Sequence, residues 1–358
     1  MDLNKLCAAA MALNASDIHL KVGVHPIFRI HGSLVPQREF GIVSNEILGT
    51  ALWNVMSDMQ RKRFKETNDC DLAYSVPGLA RFRCNVFRQQ GKIGAVLRAI
   101  PSKVKTIDEL RLPTTLKQIA QEARGMVLVT GATGSGKSTT LAAIIEEINR
   151  EHAHHVLTIE DPTEFLFTDQ KCVINQREIG VDSAEFHSAL RAALRQDPDV
   201  IFIGELRDLE TVEIALQAAE TGHLLLGTLH TIDAHETINR LLGFFEPHQQ
   251  AQIRLQLGSV LRAVVSQRLI PAIGGGRAAA IEIMRNNGSV YECIVDPRRT
   301  REIRDHIRKG RATYGMQTFD QHIHELITSG RITQDAGMRA ANNPDELMLK
   351  LSGLSDDV

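Results

Sequence analysis

Residues 131–138 read Gly131-Ala132-Thr133-Gly134-Ser135-Gly136-Lys137-Ser138, with Thr139 next, and satisfy the G-x-x-x-x-G-K-[ST] pattern at every fixed position. Three glycines let the backbone curl so that successive N–H groups and a helix N-terminus face phosphate oxygens; Lys137 adds a point charge and Ser138 a hydroxyl for Mg²⁺. The chemistry implied is nucleoside triphosphate binding. The flanks agree, because the apolar run Met126–Thr130 precedes the loop and a helical pattern from Thr139 to Asn149 follows it. That order is strand, loop, helix.

Hydrolysis needs two further groups, a carboxylate near Mg²⁺ and a residue that orients or deprotonates water. Two acidic clusters follow predicted strands, where a parallel sheet would deliver them to one edge. The first is Thr158-Ile159-Glu160-Asp161-Pro162-Thr163-Glu164, in which Pro162 stops the strand and holds the acids in a turn. Spacing alone does not choose between Glu160 and Glu164. The second runs from Asp197 to Asp208, an apolar strand ending in Gly204-Glu205, with Glu205 where many such enzymes carry Asp. A third strand, Gly222 to Thr231, has His223 and His230 at its ends. A histidine in such a place is usually a structural cap, but His230 leaves the sheet at the same edge as the acids.

The elements that position these groups fall into two parts. Residues 1–14 read as a short helix, 16–38 as alternating strands and 45–64 as a helix. Ala80 to Arg88 alternates again, with Phe82, Cys84 and Val86 on one face and Arg81, Arg83 and Asn85 on the other. A turn at Gln89–Lys92 leads to a second strand, Ile93–Ile100, carrying Arg98. The first hundred residues therefore read as a small α+β domain, 101–113 as a linker bracketed by Pro101 and Pro113, and 114–358 as α/β. In the second part strands are predicted at 126–130, 155–159, 200–203, 223–229 and 278–284. Helices are predicted at 184–195, 209–220, 234–242 and 248–269, the last from Ile253, Leu257, Val260, Leu261 and Val264. Gly274-Gly275-Gly276 reads as a hairpin turn; short polar helices, including 317–328, and an acidic tail, Ser355-Asp356-Asp357, close the chain.

Composition narrows the function. Lys plus Arg number 41 and Asp plus Glu 43 in 358 residues, so no global basic field holds nucleic acid. No apolar run is long enough for a membrane span and no cationic leader opens the chain, which points to the cytoplasm. Five cysteines without a C-x-x-C suggest buried thiols rather than zinc or disulfides. The histidines form no H-x-x-x-H metal pattern. A guanine-reading Asn-Lys-x-Asp fails at Asn4-Lys5-Leu6-Cys7.

Taken together, Gly131–Ser138, Thr158–Glu164, Val200–Asp208 and Gly222–Thr231 resemble the Walker A, Asp box, Walker B and His box of the secretion ATPase superfamily. Within it, ATGSGKSTTLAA, TIEDPTEF and AAETGHLLLGTLHT resemble the PilT-type retraction ATPases of type IV pili, from Ser-Asp-Ile-His-Leu at 16–20 to Gly-Met-Gln-Thr-Phe at 315–319. The resemblance implies a PAS-like N-terminal domain on a RecA-like P-loop ATPase domain, a homohexamer using ATP and Mg²⁺, and a peripheral place at the inner membrane beside a pilus platform protein. It implies Lys137 and Ser138 on phosphate and Mg²⁺, Glu164 activating water, Glu205 on the Mg²⁺ side and His230 sensing the γ-phosphate. It also implies N-terminal arginines that neutralise phosphoryl charge, for which Arg83 and Arg98 are the candidates, with Arg81 behind them. Pilus-extension relatives carry a longer N-terminal region and a four-cysteine motif, both absent here. Retraction members usually carry Ala-Ile-Arg-Asn-Leu-Ile-Arg where this chain has Ser289-Val290-Tyr291-Glu292-Cys293-Ile294-Val295. An accessory or paralogous pilus motor, or a ring ATPase of a DNA-transfer machine, therefore stands as the alternative.

Overall fold

A computed structural model describes residues 1–30, 32–100 and 104–353. Residues 101–103 of the expected linker and the acidic run at 355–357 lie outside the described residues. The chain folds as two compact units, residues 1–103 with 164–166, and residues 104–163 with 167–358.

In the first unit, α1 (Leu3–Ala12) starts under Asp2, whose carboxylate accepts the Lys5 N–H, and buries Leu3, Leu6, Cys7 and Ala10 at helical spacing. Six antiparallel strands follow: β1 (Ala15–Lys21), β2 (Ile27–Ile30), β3 (Ser33–Pro36), β4 (Asp69–Val76), β5 (Ala80–Gln89) and β6 (Lys92–Ile100), in the order β3-β2-β1-β6-β5-β4. Phe82, Cys84 and Val86 are buried beside Cys70, Leu72, Ala95 and Leu97, while Arg83 faces out. The helix expected over 45–64 is two helices, α2 (Asn45–Val55) and α3 (Asp58–Thr67). Met56 is extended, and Ser57 caps the new helix in a reciprocal pair with Gln60, so the chain restarts rather than continues.

The second unit is built on a seven-stranded sheet, β13-β12-β7-β11-β10-β8-β9, parallel except for β13. Its strands are β7 (Gly125–Thr130), β8 (His155–Glu160), β9 (Val173–Glu178), β10 (Val200–Ile203), β11 (Leu224–Leu229), β12 (Leu261–Pro271) and β13 (Arg277–Arg285). Every residue of β7, β10 and β11 is buried, as a parallel strand covered on both faces requires. One face packs on α4 (Thr115–Ile119) and α5 (Lys137–Glu151), and Ile107 and Leu112 share that core. The other packs on α6 (Phe186–Ala193), α7 (Leu209–Glu220), α8 (Ala234–Leu242), α9 (Gln250–Val260) and α10 (Gly288–Val295). After α11 (Ile303–Lys309) and α12 (Arg311–Tyr314), α13 (Phe319–Thr328), α14 (Gln334–Ala340) and α15 (Pro344–Leu351) form a separate core against β12 and β13.

The helix expected over 248–269 is corrected. It ends at Val260, and 261–271 form β12, paired in parallel with β7 and antiparallel with β13. A continuous apolar run has no decisive period, and tertiary pairing on both sides made this one a strand. The strands β4 and β9 were also unexpected: β9 is polar at Asn175, Gln176 and Arg177, whereas β4 does alternate, with Cys70 and Leu72 buried between Asp69, Asp71 and Ala73.

Glu282 of β13 is 3% exposed, and its carboxylate accepts the Ala234 N–H at the start of α8, 3.1 Å away. Burial pushes its pKa up from 4.5 to about 7, against the opposing bond from Ala234 and the charges of Arg268 and Arg304, and with the help of Asp233. A carboxyl raised this way contributes stability below pH 4.5 that is lost as pH rises through about 7. Glu282→Gln keeps the acceptor oxygen and cannot ionise. It should melt above wild type at about pH 8 and converge with it at about pH 5. Thermal denaturation at both values checks this; an offset independent of pH would exclude ionisation as the cause.

Candidate active site

The parallel sheet brings four predicted features to one edge. The phosphate loop follows β7, His230 follows β11, Glu205 lies two residues beyond β10 and Glu160 ends β8, on strands that are neighbours in that order. Backbone bonds tie these ends together: Gly204 N–H donates to Ile159 O at 2.8 Å and Leu206 N–H to Thr228 O at 3.1 Å.

Within the loop, Gly131 and Gly136 adopt φ of 144° and 90°. A Cβ at Gly131 would lie 2.4 Å from Gln267 O, and one at Gly136 2.8 Å from Gln267 Nε2, so neither position admits a side chain. Gly136 caps α5 without a side-chain bond, which leaves the first helical N–H groups directed at the loop. Lys137 is buried, and Nζ donates to Gly131 O at 2.8 Å and Ala132 O at 3.2 Å. The ammonium is thus held under the loop. Ser135 Oγ is buried without a partner, and a cavity of about 400 Å³ opens over Gly131–Ser135, floored by Gln267, Arg268 and Leu269 and flanked by Ile232 and Arg277. Unused donors, a helix N-terminus and a buried ammonium fit a polyphosphate. Ser138 and Glu205 offer the oxygen donors that suit Mg²⁺.

Glu205 is engaged on both oxygens. Arg207 Nε lies 2.8 Å from Oε2 and His230 Nε2 lies 3.2 Å from Oε1, while Arg207 also reaches Asp161 at 3.6 Å. A line of alternating groups, His230, Glu205, Arg207 and Asp161, therefore runs along the strand ends. Glu160 is buried and accepts from Thr158 Oγ1 at 2.7 Å, since residues two apart share a strand face. Glu164 lies beyond the strand, in the segment 164–166 that groups with the first unit. His223 sits at the opposite sheet edge, bound to Ala218 O at the end of α7, and is a cap. Asp208 likewise caps α7 through Thr211.

In the first unit, Arg83 and Arg98 are direct cross-strand partners on β5 and β6. Arg98 Nε donates to buried Asp17 Oδ1 at 2.8 Å, and Arg83 Nε lies 3.8 Å from Asp71. Hydrogen bonding to Arg98 and Ser16 holds the Asp17 pKa below the usual carboxylate value although burial pushes it up.

The sequence reading missed Gln267. Its buried amide donates to Ser135 O at 2.7 Å and accepts from Thr140 Oγ1 at 2.6 Å, joining β12 to the loop and to the first turn of α5. The signal was the polar trio Ser266-Gln267-Arg268 inside an apolar run, hidden once that run was assigned to a helix.

A parallel sheet with this loop after an inner strand, and with an acid and a histidine at the next strand ends, defines a P-loop ATPase with a RecA-like core. The chain belongs to the type II/IV secretion system protein family, whose model matches residues 1–349. It is 44% identical over 345 residues to the type IV pilus retraction ATPase PilT of Pseudomonas aeruginosa, covering 96% of this chain and 99% of that protein. It is 38% identical over 361 residues to the type IV pilus ATPase PilU of the same organism, covering 99% and 93%. A crystal structure of the pilus retraction motor PilT with bound ADP superposes with a TM-score of 0.91 at 41% identity, covering 97% of this chain and 99% of that one. The chain is therefore an ATPase of two-domain α/β architecture that uses a nucleotide.

Gln267→Ala would leave the Ser135 carbonyl and the Thr140 hydroxyl unpaired, at about 1–3 kcal/mol each. The expected result is a rise of about tenfold or more in KM for ATP with a smaller change in kcat, read from steady-state kinetics and nucleotide titration. An unchanged KM would show that the clamp does not shape the loop.

Proposed function

We propose that this chain is a hexameric motor ATPase that drives type IV pilus retraction. The observation that carries the reading is a phosphate loop with its accompanying strand-end residues in a chain alike along its whole length to PilT. In this reading Lys137 and the loop N–H groups hold the β- and γ-phosphates. Ser138 and Glu205 hold Mg²⁺, which when bound neutralises charge on the phosphates. His230, hydrogen-bonded to Glu205, reports on the γ-phosphate, and Glu164 orients the attacking water. Arg83 and Arg98 supply the positive charge that the transferred phosphoryl group needs. The motor works through an inner-membrane platform protein of the pilus machinery, with 1–100 as the PAS-like domain, 101–113 as the linker and 114–358 as the engine. Among the described residues no helix is long and apolar enough to cross a membrane, in keeping with a peripheral place.

One observation favours a second reading, an accessory motor. The segment where retraction motors usually carry Ala-Ile-Arg-Asn-Leu-Ile-Arg is here α10, which buries Val290, Cys293 and Ile294 against the core and exposes Tyr291 and Glu292. Its buried face keeps an apolar pattern while its outer face carries different groups.

Glu164→Gln should retain ATP while turnover falls by about 10²-fold or more, whereas Lys137→Ala should lose nucleotide binding itself. Near-normal hydrolysis by Glu164→Gln would remove that residue from water activation. Mixing Lys137→Ala with Arg83→Ala protomers should restore part of the activity if the arginine acts between subunits, because some interfaces then hold two intact halves. At the level of the cell, deleting the gene should raise surface piliation and abolish twitching. Unchanged pili and motility, with another ATPase accounting for both, would select the accessory role.

A further inference from the structure

At the sheet edge opposite the phosphate loop, a cavity of about 420 Å³ is lined by Glu122, Ala123, Arg124, Arg262, Arg285 and Asn286. It holds three guanidinium groups against one carboxylate, and that carboxylate is taken: Arg285 Nη2 lies 2.8 Å from Glu122 Oε1, with Nη1 on Gln118. Arg262 donates to the carbonyls of Arg124 and Ser259 and meets no carboxylate among the described residues, so its charge is uncompensated there. The Arg124 side chain is exposed and makes no hydrogen bond or ion pair among the described residues. The site therefore has about two positive charges to spare.

Asn286 adds a second and different requirement. Its Nδ2 donates to Gly258 O at 2.7 Å and Leu261 O at 2.8 Å, which fixes the amide orientation. The opposite end, Oδ1, is buried and accepts nothing. A buried acceptor without a partner calls for a donor. Anion charge and a donor on one small molecule describe a phosphorylated compound that also bears an O–H or N–H group.

We propose that this cavity is a binding site for such a compound, distinct from the ATP site. Its place in the fold gives it a consequence. Arg124 immediately precedes β7, and Arg262 begins β12 and lies across the backbone of Gly125, where a Cβ would meet Arg262 Cγ at 2.8 Å. The far ends of these two strands, roughly 17 Å away at the rise of a strand, carry the phosphate loop and Gln267. An occupant sits at the root of both strands that shape the nucleotide site.

The test uses the full chain saturated with ADP and Mg²⁺, so that the phosphate loop is filled, with ribose 5-phosphate and sulfate, an anion that bears no O–H at neutral pH, as probes in calorimetry at constant ionic strength. Ribose 5-phosphate should bind one per chain, and more tightly than sulfate because it brings the donor. Arg124→Glu should weaken both probes by about tenfold or more, since it reverses a charge at the site. The Arg124 side chain makes no bond that folding needs, and unchanged ADP affinity verifies the fold; Arg124→Gln, which only removes the charge, should weaken both to a smaller extent. Failure of both probes to bind, or equal binding by wild type and Arg124→Glu, would overturn the site. Equal affinity for the two probes would overturn the donor requirement.

Discussion

The arrangement on which the rest of the second unit depends is the pairing of β12 with β7. It places Ser266 opposite Thr130, hydroxyl to hydroxyl at 2.9 Å, and so brings the next residue, Gln267, under the phosphate loop. A loop rich in glycine has much conformational entropy to lose, and its own sequence supplies few contacts to hold it. The buried Gln267 amide supplies them from outside, one bond to the loop backbone and one to the first turn of α5. Because the bonds lie in a dry interior they are directional and costly to break, so the loop keeps one shape. The glycines and the glutamine are parts of one device: small residues make the curve, and Gln267 fills the space a side chain would have taken, with its backbone carbonyl at Gly131 and its side-chain amide at Gly136.

Parallel strands explain why groups far apart in the chain share one edge. Each strand of such a sheet ends on the same side, and each is followed by a crossover that begins with whatever side chain the edge presents. The line from His230 through Glu205 and Arg207 to Asp161 is made this way, from three strand ends. Partly exposed side chains joined in this way hold one another weakly in water. Ligand charge arriving at that edge can therefore rearrange them at modest cost.

The helix α10 has one face set by packing and one that is not. It buries Val290, Cys293 and Ile294 against the core and exposes Tyr291 and Glu292. Packing restricts the inner residues to apolar groups of fitted volume, whereas the outer residues answer only to solvent and to partners. Substitutions confined to that outer face leave the packed core of the second unit undisturbed.

Much of the site was legible in the sequence because phosphate chemistry demands local patterns. The loop at 131–138, the acids after β8 and β10 and the histidine after β11 announce themselves by residue type next to an apolar run. The helices at 209–220 and 234–242 were equally plain, being amphipathic segments with Asp208 and Asp233 as caps. Other features had no local signature. The strand at 261–271 reads as the continuation of α9, since an apolar run fits either conformation, and only β7 and β13 on its two sides made it extended. The sequence by itself thus determined which residues can hold a phosphate and on which strands they stand. The tertiary structure alone decided that Gln267 braces the loop and that Arg124, Arg262 and Arg285 gather at one cavity, because each of these depends on the register between strands distant in the chain.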